Sequence, residues 1–447
     1  MEGNCPNSFR PPLPESQAHS ELSKYTVDGL QPEQVFAPKA ADEITEVLRQ
    51  ANSQSWTVVP FGAGSKQHIG NTLGKYDVAL STQYLNQIPE YEPQDLVVKM
   101  ESGCRLIDLQ ARLAQDRLCL PIDPPSYAEA TVGGIVSANA SGPLRFSQGT
   151  IRDFLLGISV VQPDGTRTKF GSRVVKNVTG YDMCKLYTGS FGTLGVLVDF
   201  YLKLKPLPAF EKSVVAVLKK LGDAQEALAK LLQSSLAPSA VEFLNPAAMV
   251  LLNQKFSLTK DSSNYAFIAR FSDVEKAVEW QIEQLERLWE PVVSQGVIVG
   301  NLSEQDDLWE WLREDRCWLD FPCESRVKLK VNCVPDRMIE FVKQLESLCE
   351  KMIVPVMIRA HAGSGVIRAY LCFENPLTSP QTLIDHIQAL RGSLRSVRGS
   401  VVVESAPLAV KKDIDVWGYD FKDKALMQQI RKQFDPHSIL NPGRYVV

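Results

Sequence analysis

The sequence predicts an α+β protein built from more than one domain, and three observations carry that prediction. Apolar runs of strand length alternate with long amphipathic segments of helical period between residues 210 and 405. Glycine and other small residues crowd the stretch from Asp123 to Pro208, a backbone bare enough for a ligand to approach main-chain N–H groups closely. A length of 447 residues exceeds what one core of ~150 residues holds.

Residues 1–24 are polar and proline-bearing, without the charged-then-apolar pattern of a leader, and are expected to form a mobile arm. A first domain, 25–208, opens near Tyr25. Ile44, Val47, Leu48 and Ala51 share one face at helical spacing. TVVPFG (57–62), YDVAL (76–80) and DLVVKM (95–100) read as strands, and LIDLQARLAQD (106–116) as a helix. FLLGISVV (154–161) turns through PDG into TRTKF as a hairpin, and Lys205-Pro206-Leu207-Pro208 makes a rigid exit. Between 209 and 405 the strands SVVAVL, VEFLN, YAFIARF, RVKLKVN, VMIRAHAG and VIRAYLCF alternate with the helices AQEALAKLLQ, VEKAVEWQIEQLERLW and RMIEFVKQLESLCEKM. That alternation predicts one layered domain whose helices cover one face of a largely antiparallel sheet. Residues 406–447 form a coda, the helix DKALMQQIRKQF followed by DPHSILNPGRY, and no internal repeat is evident.

Composition excludes several classes. A net charge of −4 offers no electrostatic footprint for nucleic acid. No run approaches ~18 apolar residues, so no direct membrane insertion is expected. Nine cysteines lie scattered without a C-x-x-C pair, which suits reduced thiols and a cytoplasmic location and speaks against an iron–sulfur cluster in this chain. Five histidines include no H-E-x-x-H pair.

Three glycine-bearing elements fall within the first domain. PFGAGS (60–65) follows a strand, so its N–H groups can converge on a pyrophosphate while Ser65 adds a hydroxyl. Gln67 stands where G-x-G-x-x-G needs its third glycine, and no P-loop pattern occurs. PPSYAEATVGGIVSANASG (124–142) and SFGTLGVL (190–197) supply two further bare faces, and a large anionic cofactor is the natural ligand for all three. Arg145 and Arg152 are candidates to neutralise phosphate, with pairing to Asp153 as the alternative. Tyr181 is expected either beside the ligand or as a buried structural tyrosine. In LWEWLRED (308–315), Leu308, Trp311 and Leu312 share a face suited to the core or to docking a partner.

With these residues in view, the sequence resembles the vanillyl-alcohol-oxidase-type FAD oxidoreductases, which carry a p-cresol-methylhydroxylase-type (PCMH-type) FAD domain. The resemblance rests on VVPFGAGS, DPP…ATVGGIVSANASG, QGTIRDFLLGISVVQPDGTRTKFG, VVKNVTGYDMCKLYTGSFGTLGVL and FDPHSILNPGRY. It implies a two-subdomain PCMH-type FAD-binding domain (25–208 with 406–447) and an inserted ferredoxin-like α+β cap (209–405). Gly62, Ala63, Gly64 and Ser65 match the family's pyrophosphate loop. Pro125, Thr131, Gly133, Gly134, Asn139, Ser141 and Gly142 match its second FAD-contacting segment, Gly195, Val196 and Leu197 the edge beside adenine and ribose, and Asn441 and Arg444 the C-terminal motif. Ser65 stands where covalently linked relatives have their histidine, so FAD is expected to be held without a covalent bond.

The run KNVTGYD with PLRFSQGTIRDFLLG is most similar to FAD-binding subunits of glycolate oxidases. That likeness implies oxidation of a 2-hydroxy acid, with glycolate first and D-lactate second. It also implies two partners, a paralogous FAD subunit and an iron–sulfur subunit, through which any membrane association would arise. Relatives acting on 2-hydroxy acids carry HAGDGNLH, whose histidines can hold a metal; here HAGSGVIR (361–368) leaves only His361, and no metal is expected. The alternative chemistry has Arg359 or Arg368 clamp a carboxylate while His361 takes the hydroxyl proton; solvent-facing arginines and a packed histidine are the competing structural expectation. An accessory FAD-binding subunit without turnover, or a self-sufficient D-lactate dehydrogenase or oxidase, are the other functional alternatives.

Overall fold

The protein is described from a computed structural model covering residues 22–174, 180–259, 264–294, 297–299, 302–314, 323–375, 377, 380–419 and 421–445. Most of the expected arm and residues 176–179 of the KNVTGYD run lie outside it.

The first domain has two subdomains. In the smaller, β1 (Gln34–Phe36), β3 (Val78–Ser81) and β2 (Val58–Phe61) form a parallel sheet in that order. Helix α1 (Ala41–Gln54) covers it, burying Ile44, Val47, Leu48 and Ala51, with Asp42 and Glu43 in the first turn where the helix dipole favours them. The C-terminal coda completes this unit: the Val58 N–H donates to Ile439 O at 2.7 Å, and the Asn441 N–H to Val58 O at 3.0 Å.

The larger subdomain is an antiparallel sheet in the order β4 (Glu90–Glu92), β5 (Val97–Glu101), β9 (Val196–Lys203), β7 (Leu155–Val161), β8 (Arg167–Gly171). It shares a core with α2 (Leu106–Ala114) and α3 (Val132–Ala138). The expected PDG hairpin is β7 and β8, with Val161 opposite Arg167. A two-residue pair, β6 (Leu118–Cys119) with β10 (Lys205–Pro206), and the short helices α4 (Arg145–Gln148) and α5 (Met183–Tyr187) complete the unit.

The cap departs from expectation in one respect. Its single eight-stranded antiparallel sheet is two ferredoxin-like βαββαβ units joined side by side. The first unit runs β11 (Phe210–Leu218), α6 (Leu221–Gln233), β12 (Ala240–Leu244), α7 (Pro246–Phe256), β13 (Tyr265–Asp273), α8 (Glu275–Trp289), β14 (Val297–Val299). After α9 (Leu302–Arg313), the second runs β15 (Ser325–Asn332), α10 (Met338–Met352), β16 (Val356–His361), β17 (Val366–Phe373), α11 (Pro380–Arg395), β18 (Ser400–Ser405). The strand order β14-β11-β13-β12-β16-β17-β15-β18 repeats one four-strand pattern in reverse, and the two equivalent strands β12 and β16 pair at the seam. The duplication leaves no visible sequence repeat because the two halves share shape rather than residues. Helices α6, α8, α10 and α11 bury their apolar stripes on one face, as expected. On the other face α7 and α9 cover one end, where Leu308, Trp309, Trp311 and Leu312 are all core and the Trp309 Nε1–H donates to Ser213 Oγ at 2.7 Å. The opposite end of that face lies against the first domain. The chain closes with α12 (Leu408–Lys411) and α13 (Phe421–Phe434).

Candidate functional site

A groove of about 940 Å³, its open mouth included, runs between the two subdomains of the first domain. The turn after β2 forms one wall, with Gly62, Ala63, Gly64 and Ser65 all lining it. Gly62 cannot carry a side chain, because a Cβ there would stand 2.1 Å from Thr131 Oγ1. Thr131 caps α3 by accepting the Gly134 N–H at 3.2 Å, which fixes the helix start against that turn. Gly133, Gly134 and Pro125 line the same wall, and Gly195, Val196 and Leu197 face them from the start of β9. Asn441 and Arg444 arrive from the C-terminus. The Asn441 Nδ2–H donates to Phe191 O at 2.7 Å, while Arg444 binds Gln67 and donates to Ile69 O at 2.7 Å, pinning the chain beyond the turn. Ser102 Oγ, Asn441 Oδ1 and Arg444 Nε are buried along the groove without a hydrogen-bond partner among the described residues. Orphaned polar atoms of this kind fit a polar ligand.

One end of α3 leads to a second, charged constellation under the cap. Glu242 on β12 lies directly opposite His361 on β16, across the seam. His361 Nδ1 meets Glu242 Oε1, and Nε2 meets Arg368 Nη1. Arg368 also donates through Nη2 to Ser141 O at 3.4 Å, one residue from groove-lining Ala140. Arg359 Nε stands 3.9 Å from Glu242 Oε2. Arg359, Arg368 and Lys330 sit directly opposite one another on β16, β17 and β15, an arrangement of like charges that costs stability. All four residues of the central cluster are buried, with exposures of 0% for Glu242, 1% for Arg359 and His361, and 5% for Arg368.

Burial pushes Glu242 up to about 8, against the pull of Arg359 and Arg368. Burial also holds His361 well below its ordinary value, reinforced by Arg368, Arg359, Arg145 and Lys330. The bonding pattern fixes the tautomer. A guanidinium only donates, so Nε2 accepts, the imidazole proton sits on Nδ1, and the Glu242 oxygen facing it accepts. Lys330 is lowered to about 8 by burial, with Glu404 opposing. Asp123 is raised to about 7 by burial, offset by Arg270 and by the Leu144 N–H, which it accepts at 3.0 Å. Such a site holds a neutral, oriented base beside an excess of buried positive charge.

Comparison with known proteins places both parts of the chain in one family. The FAD binding domain pattern matches residues 32–171, and the pattern of the C-terminal domain of FAD-linked oxidases matches residues 207–445, more than half of the chain. The chain belongs to the FAD-linked oxidase family. Among its relatives is the glycolate oxidase subunit GlcD of Bacillus subtilis (strain 168), 24% identical over 92% of this chain and 88% of that protein. A D-lactate dehydrogenase of Anaerostipes hadrus is 27% identical over 96% and 92%. The glycolate oxidase subunit GlcE of Escherichia coli (strain K12) is 34% identical over 45% of this chain and 56% of that protein. The fold is shared with p-cresol methylhydroxylase at a TM-score of 0.72 and 13% identity, covering 95% of this chain and 92% of that one.

This FAD-linked oxidase therefore binds FAD, and the orphaned polar atoms and side-chain-free wall of the groove fit that cofactor. Of the residues singled out from the sequence, thirteen line the groove, and Asn139, Ser141 and Gly142 do not. Asn139 ends α3 in the left-handed region at φ 45°. Gly142 packs on the Asp123 backbone, where a Cβ would stand 1.8 Å from the carbonyl oxygen. Ser141 belongs to the charged constellation, its Oγ accepting from Arg145 at 3.4 Å. Arg145 thus stands at that end of the oxidase, outside the residues that line the groove. Tyr181, expected beside the ligand or buried, is 95% exposed. Arg359, His361 and Arg368 come together as one cluster, and the expectation of solvent-facing arginines is overturned. Sequence reasoning missed Glu242, whose signal was a lone acid inside the apolar strand AVEFL, and Lys330 and Asp123. Among the described residues no three metal-ligating side chains converge, and no helix is long and apolar enough to cross a membrane.

Proposed function

We propose that this FAD-linked oxidase oxidises a small 2-hydroxy acid, glycolate before D-lactate, as the FAD-binding subunit of a glycolate oxidase or dehydrogenase. The observation that carries the reading is the Glu242–His361 pair set beside the buried cations Arg359 and Arg368, with the half-buried Lys330 on the neighbouring strand. A carboxylate is a ligand that the Arg368 guanidinium can take, its Nε being buried without a partner among the described residues, and a neutral Nε2 is the base that an alcohol needs. Bound FAD supplies the two-electron acceptor. Arg359 and Arg368 hold the carboxylate, His361 Nε2 takes the hydroxyl proton, and Glu242 stabilises the resulting imidazolium through Nδ1–H. Glycolate leaves as glyoxylate. Residues 25–208 with 406–447 serve as the FAD domain and 209–405 as the cap, and the groove holds FAD without a covalent bond, with Gly62–Ser65 at the pyrophosphate and Gly195–Leu197 beside the adenosine.

The relatives named GlcD and GlcE favour a multi-subunit assembly, with a paralogous FAD subunit and an iron–sulfur subunit as partners. The chain would act in the cytoplasm and reach a membrane only through them. A second reading, an accessory flavoprotein without turnover of its own, is favoured by one observation, the guanidinium of Arg368 standing on the base. Anaerobic addition of glycolate, then D-lactate, to the purified chain decides between them. Loss of the visible flavin band supports turnover, and a band that stays oxidised until the paralogous subunit is added supports the accessory role.

A further inference from the structure

The bond between Arg368 and His361 closes the position that a substrate hydroxyl would need. Nε2 has one lone pair, and Arg368 Nη1 uses it. Yet Arg368 is poorly satisfied where it stands. Its Nε is buried without a partner among the described residues, and its Nη2 bond to Ser141 O is long at 3.4 Å. A carboxylate would engage the guanidinium through two parallel bonds, which are shorter and stronger.

We infer that Arg368 is an exchangeable cap on His361, removed by a ligand that carries a carboxylate and a hydroxyl on adjacent carbons. The carboxylate draws the guanidinium off Nε2, and the neighbouring hydroxyl takes its place as donor to the same lone pair. Both ends of the broken contact are thus refilled by one small molecule. Acetate refills only the guanidinium end, and ethylene glycol cannot displace the cap because it offers no anion. Arg368 is in this sense a specificity-determining residue: a carboxylate alone opens the cap, and only a hydroxyl on the adjacent carbon then occupies the freed lone pair of His361. The inference rests on the proposed hydroxy-acid site and goes further by saying what the resting site excludes. Glu242 from β12, Arg359 from β16, Lys330 from β15 and Arg145 from α4 all face His361 and remain in place during the exchange.

The test uses the FAD-loaded full chain labelled with ¹⁵N-histidine, the signal of His361 among five histidines being assigned with His361→Asn. Saturating acetate should move the Nε2 resonance of the wild type toward its position in Arg368→Gln, and should leave Arg368→Gln itself unchanged. Saturation of anaerobic flavin bleaching by glycolate should weaken by about 30-fold or more in Arg368→Gln, with partial recovery in Arg368→Lys. A wild-type Nε2 signal indifferent to acetate overturns the exchange, whether or not the variants fold. If acetate moves Nε2 while neither glycolate nor D-lactate bleaches the flavin, the cap stands and the hydroxy-acid reading falls. If glycolate bleaches the flavin while acetate leaves Nε2 unmoved, the hydroxy-acid reading stands and the cap falls.

Discussion

Phe146 of the first domain fills the space that a side chain on Gly363 of the cap would need: a Cβ there would stand 1.9 Å from the ring. This contact, with the Ser147 hydroxyl donating to Ser239 O at 2.9 Å, seats α4 against the charged end of the cap sheet. Gly363→Ala should destabilise the protein by about 1–3 kcal/mol, the cost of overpacking a filled site. Phe146→Ala in the same chain should restore part of the loss, since the two changes act on one contact. Urea midpoints of the two single variants and the double variant measure this, and simple additivity would argue against the contact.

Above about pH 8, where Glu242 is ionised, removing its charge should leave FAD bound and slow its reduction. In Glu242→Gln the amide cannot balance an imidazolium on His361, and the wrong donor can face Nδ1. A fall of about 10²–10⁴-fold in the anaerobic reduction rate is expected. Stopped-flow absorbance reads it, and flavin content per chain controls for folding.

Lys330 predicts a slope of stability with pH. Its folded value of about 8 lies below its ordinary value of 10.5, with burial the largest cause and Glu404, Arg368, Arg145 and Lys328 as its charged neighbours. Between those two values the unfolded chain binds more protons, so stability rises as pH rises through that window and is lost as pH falls through it. Thermal midpoints from pH 7.5 to 10.5 should show the rise, and Lys330→Met should flatten it. An unchanged slope in the variant would place the titrating group elsewhere.

Flavin should leave the protein on acid precipitation. Ser65 lines the groove in the wall closest to the turn glycines and offers a hydroxyl, not an imidazole. The supernatant should contain all the FAD and the pellet none; flavin fluorescence in the washed pellet would show a covalent link that Ser65 cannot make.

Much of the FAD groove was legible because its demands fall on the backbone. A turn that touches Thr131, or a wall that admits no Cβ, forces small residues into the sequence itself, so Gly62, Gly133 and Gly195 announce the groove. The charged constellation is less readable. HAGSGVIR pointed to His361 and Arg368, but Glu242 reads as an ordinary half-exposed strand acid until β12 is known to pair with β16. The doubling of the cap stayed hidden for a related reason. Ferredoxin-like halves need only alternating apolar strands and striped helices, a requirement that many unrelated sequences meet.

The seam between the two cap halves has a consequence for how the chain can be divided. Glu242 belongs to one half and His361 to the other, on strands that each cover the other's open edge. A fragment ending between β14 and β15 would carry a raw strand edge prone to pairing with other copies, and its carboxylate would have no imidazole to orient. The complementary fragment would hold a histidine with nothing to fix its proton. Neither inherits a working half-site, so co-expressed fragments should recover function only by rejoining along β12 and β16.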